Sequence, residues 1–205
     1  APFAVLNDPG FLRTLPLRDA VAGMAEAIKV ALIKDPAFFR WLKEHTAALA
    51  RADDEAVAQL VHRAAELHLH HIATGGDPFE FGSARPLDFG HWSAHKLETL
   101  SAHRLSHGEA VAIGIALDSR YCVEAGMLTE ADAGQIISLI EQLGLPLWDA
   151  VLELRGPRGL EVVQGLEEFR EHLGGELTVT LLEGIGRGRE VHVMDLALVQ
   201  SSLRW

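Results

Sequence analysis

The sequence predicts a mainly α-helical fold with a small β-element near its C-terminal end. Apolar residues recur at helical spacing through most of the first 143 residues. The segment 108–126 is apolar nearly all round, which is typical of a buried central helix. An apolar, β-branched run typical of a strand is clear only at 177–181. We therefore expect helices to provide most of the core.

Capping and breaking residues mark the helix boundaries. With the apolar spacing, they predict helices over 18–34, 38–51, 53–72, 91–101, 108–126 and 129–143, and a short last helix from 195. Asp35-Pro36 ends the first helix and begins the second, since proline fits a first turn. Asp53 caps the third helix, and Thr129 with Asp132 forms a capping signature.

The remaining segments are loops and the β-element. The segment 1–17 carries two turn signals and reads as an extended entry, and 74–90 is a glycine- and proline-rich loop. Residues 191–193 are expected to pair with the strand at 177–181. The Gly-rich run 184–188 lacks the strand–loop–helix context of a phosphate loop, so a turn between strands is the better interpretation. We expect one domain over 1–205.

Composition limits the function classes. The 205 residues carry a formal net charge of −11, which argues against nucleic-acid and anionic-membrane partners. The lone Cys122 excludes a disulfide framework and a Cys-rich zinc module. No stretch is long and apolar enough to span a membrane, and no signal peptide is visible, so we expect a cytoplasmic protein. The chain begins with Ala-Pro, and we expect it to be part of a longer one.

Glu26 and Lys29 lie three residues apart in the first predicted helix and so share a face. A solvated surface ion pair would explain them. The residues around Glu26 are small or apolar, however, which favours a less exposed position. Both interpretations stay open on this segment alone.

Two other segments place imidazoles at helix starts. His91 and His95 are one turn apart, so their rings can face one point. His91 follows a glycine at a helix N-terminus, where the helix dipole favours the neutral, metal-binding imidazole. His107 precedes the buried helix in a His-Gly-Glu run, at the edge of the core. The alternative for His91 and His95 is two ordinary polar histidines on a helix. The alternative for the segment at His107 is a helix cap with an acidic first turn.

Together these segments offer one carboxylate and two imidazoles, a set that suits a catalytic zinc ion with an open position. His68, His70 and His71 spread around the axis of their helix and cannot all converge. We expect them at the surface, with His70 lining the site.

Three motifs resemble the dehydroquinate synthase family of sugar phosphate cyclases. They are Gly-x-x-Glu-x-Ile-Lys at 23–29, Leu-Asp-Phe-Gly-His-x-x-x-His-x-x-Glu at 87–98 and His-Gly-Glu-Ala-Val-Ala-Ile-Gly at 107–114, in the family's order and spacing. The resemblance extends from Thr14 to Gly186. It implies that the chain is the C-terminal, metal-binding half of a two-domain fold.

The resemblance also implies the roles of individual residues. The metal ligands are then Glu26, His91 and His107, holding Zn²⁺ or Co²⁺. The family's acidic positions upstream match Asp77 and Glu80. The catalytic and substrate-contacting side chains that we expect from the resemblance are Lys29, Glu80, Arg85, Asp88 and His95.

The family's chemistry implies three partners. These are a seven-carbon keto-acid sugar phosphate, NAD held by an N-terminal domain, and a second copy in a homodimer. In the family, NAD removes a hydride transiently, phosphate is eliminated, the hydride returns and an aldol closure forms the carbocycle. The metal orients and acidifies neighbouring hydroxyls.

Several positions depart from the dehydroquinate synthase pattern while the metal set is intact. They are His70 for lysine, Ala84 for arginine with Arg85 beside it, Asp88 for asparagine, Trp92 for threonine, and Arg170-Glu171 for a lysine pair. Most of these changes remove positive charge or alter a substrate contact. We expect cyclase-type metal chemistry with altered substrate recognition.

Two other functions remain as alternatives. One is a metal- and NAD-dependent alcohol dehydrogenase of the glycerol dehydrogenase type, and the other is a non-catalytic metal-binding domain. The intact motifs at 87–98 and 107–114 favour the cyclase over the dehydrogenase.

Overall fold

The fold is mainly helical, as predicted. The computed structural model describes residues 3–4, 6–74, 87–172 and 175–204. Its helices are α1 (Leu17–Lys34), α2 (Pro36–Glu44), α3 (Thr46–Leu49), α4 (Asp54–Thr74), α5 (His91–Leu100), α6 (His107–Glu124), α7 (Glu130–Gln142), α8 (Gln164–His172) and α9 (Leu196–Ser202). None of the described helices is long and apolar enough to cross a membrane.

The β-structure of the described residues consists of two small antiparallel ribbons. They are formed by β1 (Arg155–Gly156) with β2 (Gly159–Leu160), and by β3 (Val179–Gly184) with β4 (Arg187–Val191). In the larger ribbon Val179 pairs with Val191, one strand is buried and the other is mostly exposed. The turn between them is the Gly-rich run, so the prediction of a strand turn is confirmed.

Helix α6 forms the centre of the core. Almost all of its residues from Ala110 to Cys122 are buried, and it packs against α1, α5, α7, α9 and β3. Its contact with α1 is close because residue 108 is glycine. A β-carbon there would lie 2.0 Å from the carbonyl oxygen of Ala22. This close approach brings the middle of α1 beside the first turn of α6.

Helix α5 lies equally close to α6. A β-carbon on Gly114 would lie 2.0 Å from the carbonyl oxygen of Gly90, the residue before α5. Glycines at 108 and 114 thus place α1 and the start of α5 directly against the first half of α6.

The predicted caps are confirmed, but several other parts of the prediction were wrong. Pro9–Thr14 form a 3-10 helix within the segment predicted as an extended entry, and the strand that pairs with β3 is Arg187–Val191 instead of 191–193. The second helix was predicted as one unit over 38–51, but it breaks at His45, where the backbone leaves the helical region (φ −106, ψ 8). The Nδ1 of His45 lies 2.9 Å from the carbonyl oxygen of Trp41, and the Thr46 hydroxyl donates to Leu42, so side chains compete for helix carbonyls. The elements between 150 and 172 were not predicted at all.

Candidate metal centre

Three side chains, one each from α1, α5 and α6, converge at one point. Oε1 of Glu26 lies 3.3 Å from Nε2 of His91 and 3.2 Å from Nε2 of His107. One donor atom from each residue lies within 4.8 Å of the other two. A carboxylate and two imidazoles at this spacing suit a zinc ion that keeps a position open for water or substrate. The residues proposed from the sequence are therefore brought together.

Local structure fixes each of the three side chains. Glu26 lies in the middle of α1, and His91 and His107 are the first residues of α5 and α6. Ser106 caps α6 in a reciprocal capping box with Glu109. Arg18 of α1 donates two hydrogen bonds of 2.7 and 2.8 Å to the same Glu109 carboxylate. This bidentate pair holds α1 against the start of α6.

Outer contacts orient both imidazoles. Nδ1 of His91 lies 3.2 Å from the carbonyl oxygen of Phe89, and Nδ1 of His107 lies 3.2 Å from Oε2 of Glu98. In the tautomer that donates from Nδ1, Nε2 of each ring presents a lone pair on the side of Glu26. Metal-ligating histidines are commonly supported in this way. The donor set therefore fits a divalent metal in its surroundings as well as its chemistry.

Sequence reasoning did not assign a role to Glu98. It stands three residues after His95, so it faces the same side of α5 as the histidine. That spacing could have signalled the carboxylate, but its partner, His107, belongs to another helix.

Lys29 lies beside the donor set, and it forms the ion pair with Glu26 in a partly buried position instead of on the solvated surface. Its side chain is buried, with Nζ 2.6 Å from Oε2 of Glu26 and 3.4 Å from Nε2 of His91. The two carboxylate oxygens of Glu26 thus face different partners: Oε1 faces the imidazoles and Oε2 faces the ammonium. A metal on Oε1 and the ammonium on Oε2 can share this carboxylate.

The cluster shifts the pKa values of its own members. Partial burial alone would raise the pKa of Glu26, but hydrogen bonds with His107 and His91 and the charge of Lys29 outweigh it and hold the pKa far below its usual range. The carboxylates of Glu26 and Glu98 raise the pKa of His107 above its usual value. Glu26 is therefore ionised, as a metal ligand must be.

His95 lies beside the three donors. Its ring centroid is 5.7 Å from that of His91 and 6.0 Å from that of His107. Partial desolvation, followed by the charge of His91, lowers the pKa of His95 below its usual value. Its imidazole is thus favoured in the neutral form, which can accept a proton. His95, Glu98 and His107 form a second group of close donor atoms that shares His107 with the first.

A cavity of about 530 Å³ opens next to the donor set. One side presents Glu26, Lys29, His91 and Asp88, and the α4 side is apolar except for His68. His68 lines this cavity, whereas His70 is exposed and does not, so the expectation for His70 was wrong. The error is one of helix phase, because positions 68 and 70 point about 200° apart.

The other predicted site residues divide between the described and undescribed parts of the chain. Asp88 is partly buried and lines the cavity, as its predicted role requires. Asp77, Glu80 and Arg85 lie outside the described residues.

Comparison with known proteins identifies the family. Two proteins named 3-dehydroquinate synthase, from Xylella fastidiosa strain M12 and Halorhodospira halophila, are each 37% identical to the chain. The matches cover 98% and 90% of this chain but 55% and 51% of the relatives. The chain thus spans about half the length of the curated relatives it matches.

Solved structures agree with this result. The 2-epi-5-epi-valiolone synthase ValA from Streptomyces hygroscopicus subsp. jinggangensis 5008, with NAD⁺ and Zn²⁺ bound, is 30% identical with a TM-score of 0.83. The match covers 96% of this chain and 53% of that one. The family model for the 3-dehydroquinate synthase C-terminal region matches residues 23–164. Because this match covers more than half of the sequence, the chain belongs to the 3-dehydroquinate synthase C-terminal family.

Proposed function

We propose that the chain is the metal- and substrate-binding part of a sugar phosphate cyclase of the 3-dehydroquinate synthase type. The observation that carries this proposal is the convergence of Glu26, His91 and His107 beside a buried lysine. Relatives named 3-dehydroquinate synthase support the reaction class. The reaction converts a sugar phosphate to a carbocycle, releases phosphate and leaves NAD unchanged overall.

Glu26, His91 and His107 are the proposed ligands of a Zn²⁺ or Co²⁺ ion. The ValA structure holds Zn²⁺, and a 2-deoxy-scyllo-inosose synthase structure holds Co²⁺, although the latter's 18% identity makes it a guide to fold alone. When bound, such an ion supplies Lewis-acid chemistry that polarises substrate oxygens and lowers the pKa of hydroxyl groups. Glu98 and the Phe89 carbonyl hold the two imidazoles in the orientation that the ion needs.

Lys29 and His95 are the proposed catalytic groups. The Lys29 ammonium is buried, so it interacts with an anionic substrate oxygen more strongly than an exposed lysine does. Neutral His95, at the edge of the donor set, can take a proton from the substrate. The α4 wall of the cavity beside Lys29 is apolar except for His68.

The proposal needs a second domain. NAD supplies reversible hydride transfer, and we assign its binding to an N-terminal domain, because the relatives are about twice as long as this chain. Glu80, Arg85 and Asp88 as further substrate contacts, the cytoplasmic location and the homodimer stay predictions. A glycerol dehydrogenase-type function is not favoured by the family match.

The test compares Lys29→Met with Lys34→Met, which removes an exposed lysine from the end of the same helix. In the complete enzyme, with this chain joined to its NAD-binding domain, both variants should keep the wild-type metal content. Phosphate release from the sugar phosphate should fall by at least about 100-fold in Lys29→Met, since it loses a preorganised positive charge, and stay unchanged in Lys34→Met.

Full phosphate release by Lys29→Met would contradict the catalytic role of the lysine. NADH that accumulates with the substrate, instead of being recycled, would point to the dehydrogenase.

A further inference from the structure

Asp118, in the middle of α6, is a fully buried carboxyl group that the proposed mechanism does not use. Both of its oxygens accept hydrogen bonds from the start of α5. Oδ2 accepts from the backbone N–H of Gly90 at 2.9 Å, and Oδ1 accepts from the indole N–H of Trp92 at 2.8 Å. The two donors immediately precede and follow His91, the proposed metal ligand.

Close packing against α6 places the start of α5, but no side chain caps it. Gly90 is the N-cap residue, lies in the left-handed region at φ +80 and provides no side-chain cap. Glycine is the most permissive residue for backbone motion, so a ligand placed directly after it needs support from another element. Asp118 provides that support across the contact between α5 and α6.

Packing alone does not explain a carboxyl group at this position. Burial raises the pKa of Asp118 to about 7, even though the two hydrogen bonds lower it. A buried ionisable group of this kind costs stability that an apolar residue of similar size does not. Its two hydrogen bonds hold one short segment, the segment that carries His91.

We infer that Asp118 is a positioning residue, which holds the His91 imidazole in the orientation that metal binding requires. Trp92 is its side-chain partner. The inference rests on the proposed function in taking His91 as a metal ligand. It adds a residue that acts only through the backbone of Gly90 and the side chain of Trp92.

The test uses one variant each of Asp118 and Trp92, and one matched control. Asp118→Asn keeps the shape but replaces one acceptor with a donor, and Trp92→Phe removes the indole donor alone. The control, Ser119→Ala, removes an equally buried side chain whose hydroxyl donates to the carbonyl of Ile115 within α6. Circular dichroism establishes that each variant is folded.

Two readouts follow the His91 imidazole. In competition titrations with a chelator, Asp118→Asn should bind Zn²⁺ about tenfold more weakly than wild type, and Trp92→Phe at least about threefold more weakly. In the metal-free protein, the NMR cross-peak of the His91 ring should shift or split in both variants. Ser119→Ala should leave both readouts unchanged.

Folded variants with wild-type zinc affinity and an unchanged His91 cross-peak would overturn the inference. If Asp118→Asn does not fold, the zinc affinity and the His91 cross-peak of Trp92→Phe test the inference. If wild type itself does not bind zinc, the proposed function fails, and the His91 cross-peak of the metal-free protein still decides the positioning role.

Discussion

At the residue scale, Glu26 is the side chain on which the site depends. One of its oxygens faces two imidazoles and the other faces a buried ammonium. A carboxylate surrounded by these groups is ionised well below neutral pH. It can therefore serve a metal and Lys29 at once, which links metal binding to the position of the proposed catalytic lysine.

His91→Ala should weaken zinc binding by more than about 100-fold, because loss of an outer partner alone costs 10–100-fold. A chelator competition titration measures the affinity, and His62→Ala, which removes an exposed histidine from α4, serves as the control. Full zinc occupancy in folded His91→Ala would show that His91 is not a ligand.

The sequence was enough to predict that Glu26, His91 and His107 come together, because residue type and helical position single them out. It was not enough for Glu98 or Asp118. Each acts on a residue of another helix, and no local spacing reveals which helix faces it. His68 and His70 show a related limit, because the phase of α4 relative to α1 depends on packing.

At the element scale, two of the three proposed metal ligands are the first residues of helices. His91 and His107 are the first residues of α5 and α6, so an interaction that fixes a helix start also fixes a proposed ligand. For α6 this interaction is the capping box of Ser106 and Glu109, and Arg18 of α1 forms an ion pair with the same Glu109.

The contact between Arg18 and Glu109 should make the stability of the fold depend on pH in acid. Hydrogen bonds with Arg18 lower the pKa of Glu109 from 4.5 to about 2 in the folded protein. The unfolded state therefore binds more protons in this range, so the contribution to stability is complete above pH 4.5 and is lost as the pH falls through 2. The difference in unfolding free energy between wild type and Glu109→Gln should shrink over this window.

Urea unfolding at a series of pH values from 6 to 2 measures this difference. Glu130→Gln, which changes an exposed glutamate in the first turn of α7 and leaves the Arg18–Glu109 contact intact, is the matched control. A difference between wild type and Glu109→Gln that stays constant across the series would exclude the Arg18–Glu109 contact as its source.

Element boundaries were predicted well where a side chain caps a helix. Asp35, Thr129 and Asp195 accept hydrogen bonds from the first turns of α2, α7 and α9. The prediction failed where elements are short. The segment from 150 to 172 begins with one-turn helices and a ribbon of two-residue strands, which are too short to establish a periodic pattern, and α8 at its end was also missed.

At the scale of the whole molecule, a metal ion would join three helices whose ligands are up to 81 residues apart in the chain. The central position of α6 makes this possible, since α1 and α5 both pack closely against it. The fold class followed from the sequence because apolar periodicity is a property of whole segments. The cavity next to the ligands did not, because its walls come from α1, α4 and the start of α5.

The most direct test of the metal centre is anomalous diffraction at the zinc absorption edge, from crystals of the zinc-loaded chain. The account predicts one strong peak about 2 Å from Glu26, His91 and His107, the coordination distance of zinc to oxygen and nitrogen ligands. A zinc-loaded chain with no peak between these three side chains, or with its peak at other residues, would contradict it.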